Sequence, residues 1–274
     1  MNTIDKTLIC KSHLETVIRI SSQALLELDG KKTTIERFAF TAVQKVYKVT
    51  LATQVLYNQL DRSQDFEFSL GILLRSVLMD AIMLNKLKSD INIFSDNYKN
   101  GLDQDAYKEL NTQVESLVYK YLFDGTQKMI AEVQDSPHFS ADQKKDIIAK
   151  LQRVFPAAYE TKDGAIKMKS GFKFTLKDLK EHTSHPSMVT ADDVNSLYSN
   201  FSKYDHLSHW TAAYQSLPWE TRKGRIDTSI LLLVLHLRDL LVIASDFIPD
   251  DLHLGSLGAE LQKHLTDTYD PIIR

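Results

Sequence analysis

Along Tyr198-Ser-Asn-Phe-Ser-Lys-Tyr-Asp-His-Leu-Ser-His-Trp210, side chains capable of chemistry recur at helical spacing. At about 100° per residue, a helix here gathers Tyr198, Ser202, Asp205, His206 and His209 within roughly a third of its circumference. A phenol, a hydroxyl, a carboxylate and two imidazoles then lie along one side of a segment otherwise built like a core helix. Groups aligned in this way must be solvated, bonded to one another or used. Two uses follow from the residue types. His206 and His209, one turn apart with Asp205 alongside, have the spacing of a two-histidine metal site. Ser202 and His206 have the spacing of a nucleophile and its base.

Neither use is completed by the sequence. A second string, Glu181-His-Thr-Ser-His185, offers two more imidazoles, yet no spacing identifies a third ligand, so no metal or other cofactor is expected. Hydrolytic triads draw their members from different elements and set the serine on a sharp turn. Here all three residues fall on one helix, which favours a hydrogen-bonded cluster. Glycine-rich phosphate loops and dinucleotide fingerprints are absent.

Arg75 is the second singular residue. It interrupts Ile72-Leu-Leu-Arg-Ser-Val-Leu-Met79, the most apolar helical segment of the chain. A buried guanidinium needs carboxylate, carbonyl or anionic partners. Asp80 lies five residues on and points to another side, so the partner is expected from another helix or from a ligand. His236, within His236-Leu-Arg-Asp239, reads as a core histidine satisfied by a polar network.

The elements that must position these groups are helices. Nine glycines and six prolines in 274 residues leave long segments free of breakers. Apolar residues at intervals of three and four predict helices over Thr7–Leu28, Thr34–Leu60, Phe66–Leu87 and Gln104–Val133. Others are predicted from Ser140 to Pro156, near Leu176–Glu181, and over Ala191–Tyr214, Arg225–Phe247 and Leu254–Thr268. The segment from Phe66 to Leu87 is apolar on nearly every side and is expected at the centre of a bundle. Between residues 157 and 174 an Asp-Gly turn with alternating flanks predicts a small hairpin or ordered loop. The lysines from Lys162 to Lys180 make it locally basic, read as a solvated loop in preference to a phosphate-binding patch. The expectation is an all-α, multi-helix bundle forming a single domain over 1–274, with that loop as an insertion.

Composition narrows the setting. Hydrophobic residues make up 43% and charged residues 25%, ordinary values for a folded protein, so disorder is excluded as the main description. The net charge of −3 does not support a protein that coats nucleic acid. With Cys10 as the one cysteine, neither an intramolecular disulfide nor a cysteine zinc cage can form. The longest apolar run, starting at Ile230, is stopped by Arg238-Asp239, too early to span a bilayer. No apolar leader follows Met1, so a cytoplasmic protein with no membrane partner is expected. Its many apolar helices are compatible with a homodimer.

Two motifs taken together resemble an uncharacterised bacterial family of helical proteins. These are Leu-Leu-Arg75-Ser-Val-Leu on one helix and Tyr198-x-x-Phe-Ser202-x-x-x-His206-x-Ser208 on another. Family members pair an Arg-Ser-Leu-Leu-Glu helix with a Tyr-x-x-Leu-Ser-x-x-x-His helix, and the resemblance spans roughly Phe66 to Tyr214. Met79 stands where the family has its acidic residue, with Asp80 one position later. The layout is similar, more distantly, to the HEPN group of helical bacterial domains. Some of those are RNases with an arginine and a histidine four to six residues apart on one helix. No arginine here has a histidine at that distance, so such a pair would be Arg75 with His206.

The resemblance implies a polar site of Arg75, Tyr198, Ser202 and His206 that takes a small anionic ligand or shapes a surface for a protein partner. The rival reading is an RNase or a metal-assisted phosphodiesterase with His206 as acid/base and Arg75 on the developing negative charge.

Overall fold

The computed structural model describes residues 6–30, 34–60, 62–96, 112, 118, 132–154, 159–162, 165–168, 196, 199, 201, 213–248 and 253–273. The fold is all-α apart from one small hairpin. The chain clusters into two compact units, one of residues 1–88 with 182–274 and one of residues 89–181.

In the first unit, α1 (Lys6–Leu28) buries Cys10, His13, Leu14, Val17, Ile20, Ser21, Ala24 and Leu28. The intervals of three and four make a single stripe down one side. Gly30, at φ 73°, takes the left-handed conformation that ends the helix and turns the chain towards α2. In α2 (Thr34–Tyr57), Ile35, Ala39, Val43, Val46, Thr50, Thr53 and Tyr57 form the matching stripe.

The buried hydroxyls on these stripes are not loose ends in the main. Ser21 donates to the Val17 carbonyl and Thr50 to the Val46 carbonyl, one turn back in each case. This is the way a short polar side chain is tolerated inside a helix.

Among the described residues the most enclosed helix is α5 (Trp219–Phe247), whereas composition points to α3 (Phe66–Asp96). In α5 every residue from Leu232 to Leu237 is buried, along with Ile226, Ile230, Leu240, Leu241, Ile243 and Ala244. Packed against α1, α2 and α6 (Leu254–Ile273), it has apolar contacts on several sides. Gly258 brings α6 close, because a Cβ there would meet the Val242 side chain at 3.3 Å. By contrast, α3 is one-sided where its burial is described. Leu70, Leu74, Val77, Leu78, Ala81 and Leu84 face inward, whereas Ile72 is 48% exposed. Composition alone cannot separate the two helices, since both are rich in leucine and isoleucine.

Two ion pairs attach α3. Lys45 of α2 contacts Asp80 at 2.6 Å and donates to the Ser76 carbonyl at 3.3 Å. At its N-terminal end, Glu67, 1% exposed, pairs with Arg222 of α5. Arg222 also donates to the Leu217 carbonyl and lies over the Trp219 ring.

The second unit contains α4 (Ala141–Val154), opened by a reciprocal cap. The Ser140 amide donates to Gln143 Oε1 at 2.9 Å, and the Gln143 amide returns to Ser140 Oγ at 3.3 Å. The hairpin pairs β1 (Tyr159–Lys162) with antiparallel β2 (Ala165–Met168), Tyr159 opposite Met168 and Lys162 opposite Ala165. It falls where the Asp-Gly signal predicts it. Among the described residues, no helix is long and apolar enough to cross a membrane.

Glu67 supplies a stability prediction. Replacing Arg222 by Met leaves a buried carboxylate without its guanidinium, which costs on the order of 3 kcal/mol. Urea denaturation of Arg222→Met should show that loss, with most of it recovered in the Arg222→Met, Glu67→Gln double variant.

Candidate functional site

The polar groups buried between α1, α2, α5 and α6 form the most concentrated chemistry among the described residues. Each sits at a position that helical periodicity assigns to the core. Cys10 and His13 are one turn apart on the buried stripe of α1. Tyr57 closes α2, Lys223 and Asp227 stand one turn apart near the start of α5, and His264 and Tyr269 lie on α6.

One array is built on an ion pair. Lys223 Nζ contacts Asp227 Oδ2 at 3.0 Å and Oδ1 at 3.2 Å, and donates to Tyr57 Oη at 3.2 Å. Tyr57 in turn donates its own proton to Asp227 Oδ1 at 2.8 Å. The three groups form a closed ring of charge-assisted bonds, with the ammonium also 5.4 Å from the Tyr57 ring centroid. Cys10 borders this ring. Burial, and then the Asp227 charge, push its thiol from 9.0 up to about 12, so it stays protonated at neutral pH. Burial pushes the Tyr57 phenol well above its ordinary range too, with Cys10 and Asp227 adding to it.

The second array is a chain. His13, with 0% exposure, places Nδ1 2.8 Å from His264 Nε2 and Nε2 2.9 Å from the Tyr269 hydroxyl. Neutral imidazole has one donor nitrogen and one acceptor. The proton order therefore runs from Tyr269 through His13 to His264, or the reverse, and either satisfies both His13 nitrogens. Burial, and then the neighbouring His264, lower His13 from 6.5 to about 4. His264 is lowered by burial and by Arg19. Tyr269 is pushed up to about 12, first by burial and then by Cys10 and Asp227, which ties the chain to the ring.

What can this arrangement do? A nucleophilic cysteine needs a depressed pKa and access, and Cys10 has neither. The histidine pair can pass a proton along its length, but it is anchored between helices. Among the described residues, no three His, Cys, Asp or Glu side chains come together as a metal site.

The site expected from the sequence meets the structure only in part. Tyr198, Ser202, Asp205, His206 and His209 lie outside the described residues. So do the histidines of the Glu181–His185 string. Arg75 is described and is half-buried on α3, not buried, and it does have an interaction partner. The reason is the one-sidedness of α3, which gives position 75 a boundary environment. Asp80, set aside as a partner for Arg75, is taken by Lys45.

His236 lies in the core as expected, but its expected hydrogen bonding is corrected in part. It is 5% exposed and its Nδ1 has no hydrogen-bond partner among the described residues. Arg238 turns instead to Asp239, at 2.6 and 2.9 Å, and to Gln262 of α6 at 2.9 Å. Burial lowers the His236 pKa and keeps it neutral, against the pull of Asp80 and Asp239.

Sequence reasoning passed over the α1–α2–α5–α6 arrays, although a signal existed. His13 sits inside an otherwise apolar stripe, and Lys223 and Asp227 have the i,i+4 spacing of an intrahelical pair. Comparison with protein-family models, curated proteins and solved structures gave no match to this chain.

The depressed histidines make stability pH-dependent. Between roughly pH 6.5 and 4 an unfolded chain binds a proton at His13 that the folded protein refuses. Stability is therefore held above pH 6.5 and lost as pH falls towards 4, with His264 and His236 acting in the same direction. Urea midpoints measured at steps between pH 7 and 4.5 should fall steadily. In His13→Leu the slope over that interval should be visibly shallower.

Proposed function

We propose that this chain is a helical binding or interaction protein, and that its buried polar arrays hold the helices in register rather than turn over a substrate. One observation carries the reading. Tyr57, Asp227 and Lys223 satisfy one another, and His13 is satisfied at both nitrogens, so the arrays are consumed by bonds within the core. Catalytic groups face the opposite requirement, a free donor or lone pair held towards a reacting atom.

The protonation states support the same view. A thiol pushed up to about 12 and an imidazole lowered to about 4 are the resting, uncharged forms at neutral pH. Both suit a packed interior more than an acid–base pair tuned near pH 7. A bacterial, cytoplasmic setting belongs to the same proposal, supported by the motif resemblance and by a buried unpaired thiol. The RNase or phosphodiesterase alternative depends on His206, outside the described residues, and no observation favours it.

Cys10, as the sole cysteine, makes the test direct. A chromogenic disulfide reagent at pH 7.5 should leave the native protein unlabelled over minutes and label it at once in denaturant. Rapid labelling of the folded protein would mean an accessible, activated thiol and would overturn the reading.

A further inference from the structure

Lys223, which braces the buried ring, also lines an open cavity of about 350 Å³. Its other walls include Arg62, Ser63, Gln64 and Trp219. We infer that this cavity is a binding site for a small organic anion with a flat apolar body, its charge held between Arg62 and Lys223 and its body against the Trp219 indole. The inference deepens the binding reading above and rests on it.

The charges in the cavity are unequal. Lys223 gives its three hydrogens to Tyr57 Oη and the two Asp227 oxygens, so its positive end is fixed in place and bears on the cavity only through its charge. Gln64 Oε1 accepts from Arg222, whose own charge is taken by Glu67. Ser63 Oγ is turned to Asp65 at 2.7 Å. Arg62, by contrast, is exposed and its guanidinium makes no ion pair or side-chain hydrogen bond among the described residues. Arg62, unpaired among the described residues in a concave site that Lys223 also lines, is a fork suited to a carboxylate or phosphate.

The walls set the rest of the ligand. Arg222 covers the Trp219 ring at 5.3 Å from its centroid, which anchors the indole as part of the wall. A volume of this size lies at the low end for small-molecule pockets, enough for a mononucleotide or an aromatic acid. Those two sources share the chemistry named here and differ in their anionic group.

Trp219 is itself the reporter. In a Trp210→Phe background it is the sole tryptophan. Its fluorescence would be titrated with adenosine 5′-monophosphate and, separately, with benzoate, each against its uncharged counterpart, adenosine and benzamide. The expected result is a saturable change with at least one anion, at least about tenfold tighter than its neutral counterpart and weakened by added salt. Arg62→Ala should lower that affinity by about tenfold or more and Arg62→Lys by less, since the Arg62 side chain makes no other hydrogen bond or ion pair among the described residues. The stronger of the two arms assigns phosphate or carboxylate.

No saturable change with either anion up to about 10 mM would overturn the inference. So would neutral counterparts that bind as well, or an Arg62→Ala protein that binds unchanged. The Cys10 labelling experiment is independent of all of these. A dead cavity with an unreactive thiol removes this site and leaves the non-catalytic reading standing, whereas a reactive thiol with a working cavity does the reverse.

Discussion

Polar side chains on the buried face of α1 set the terms for the packing around it. Cys10, His13 and Ser21 occupy positions where leucine or valine would serve the hydrophobic effect better. Once buried, His13 must find two partners or lose the free energy of an unsatisfied group, on the order of 1–3 kcal/mol. It finds them on α6, at His264 and Tyr269. The apolar remainder of the stripe would permit α6 to slide or rotate, whereas two directional bonds to one imidazole admit a single register. A purely hydrophobic α1 would bind as tightly and specify less.

The same logic governs the neighbouring turn of the α1 stripe, at Cys10, where an ion pair is involved. Lys223 and Asp227 are neighbours on α5 by helical geometry, and Tyr57 completes the ring from the last turn of α2. Each side chain is mostly buried, so the pair is tolerable only because the phenol takes up the remaining hydrogen-bonding capacity. Lys223 thereby acquires two faces. One is committed to the core, and the other borders the cavity with Arg62 and Trp219. Structure and binding meet at this residue, with the core restricting where a surface charge is held.

Legibility from the sequence varied with the range of the interaction. Helix positions followed the apolar intervals closely, and α1, α2 and α6 begin within a residue of where periodicity places them. The Asp-Gly hairpin and the Ser140 cap were equally local signals and fall where expected. Which of the described helices is most enclosed was misread, because hydrophobic composition records how apolar a segment is and not how many neighbours it acquires. α3 and α5 are alike in composition and differ in how many of the described helices pack on them. Arg75 drew attention for standing in the apolar α3, yet a one-sided helix offers it a boundary position.

The chain by itself therefore determined an all-α fold, the buried stripes of α1 and α2 and the intrahelical neighbours, including Lys223 with Asp227. These depend on contacts within about one helical turn, and residue spacing encodes them directly. Tertiary structure alone decided that His13 meets His264, 251 residues away, and that Tyr57 reaches Asp227 across 170. It also decided that Lys45 pairs with Asp80, and that Arg62, unpaired among the described residues, stands beside a cavity. Pairings at such separations follow from how whole stripes pack, a property of the assembled helices that no local spacing contains.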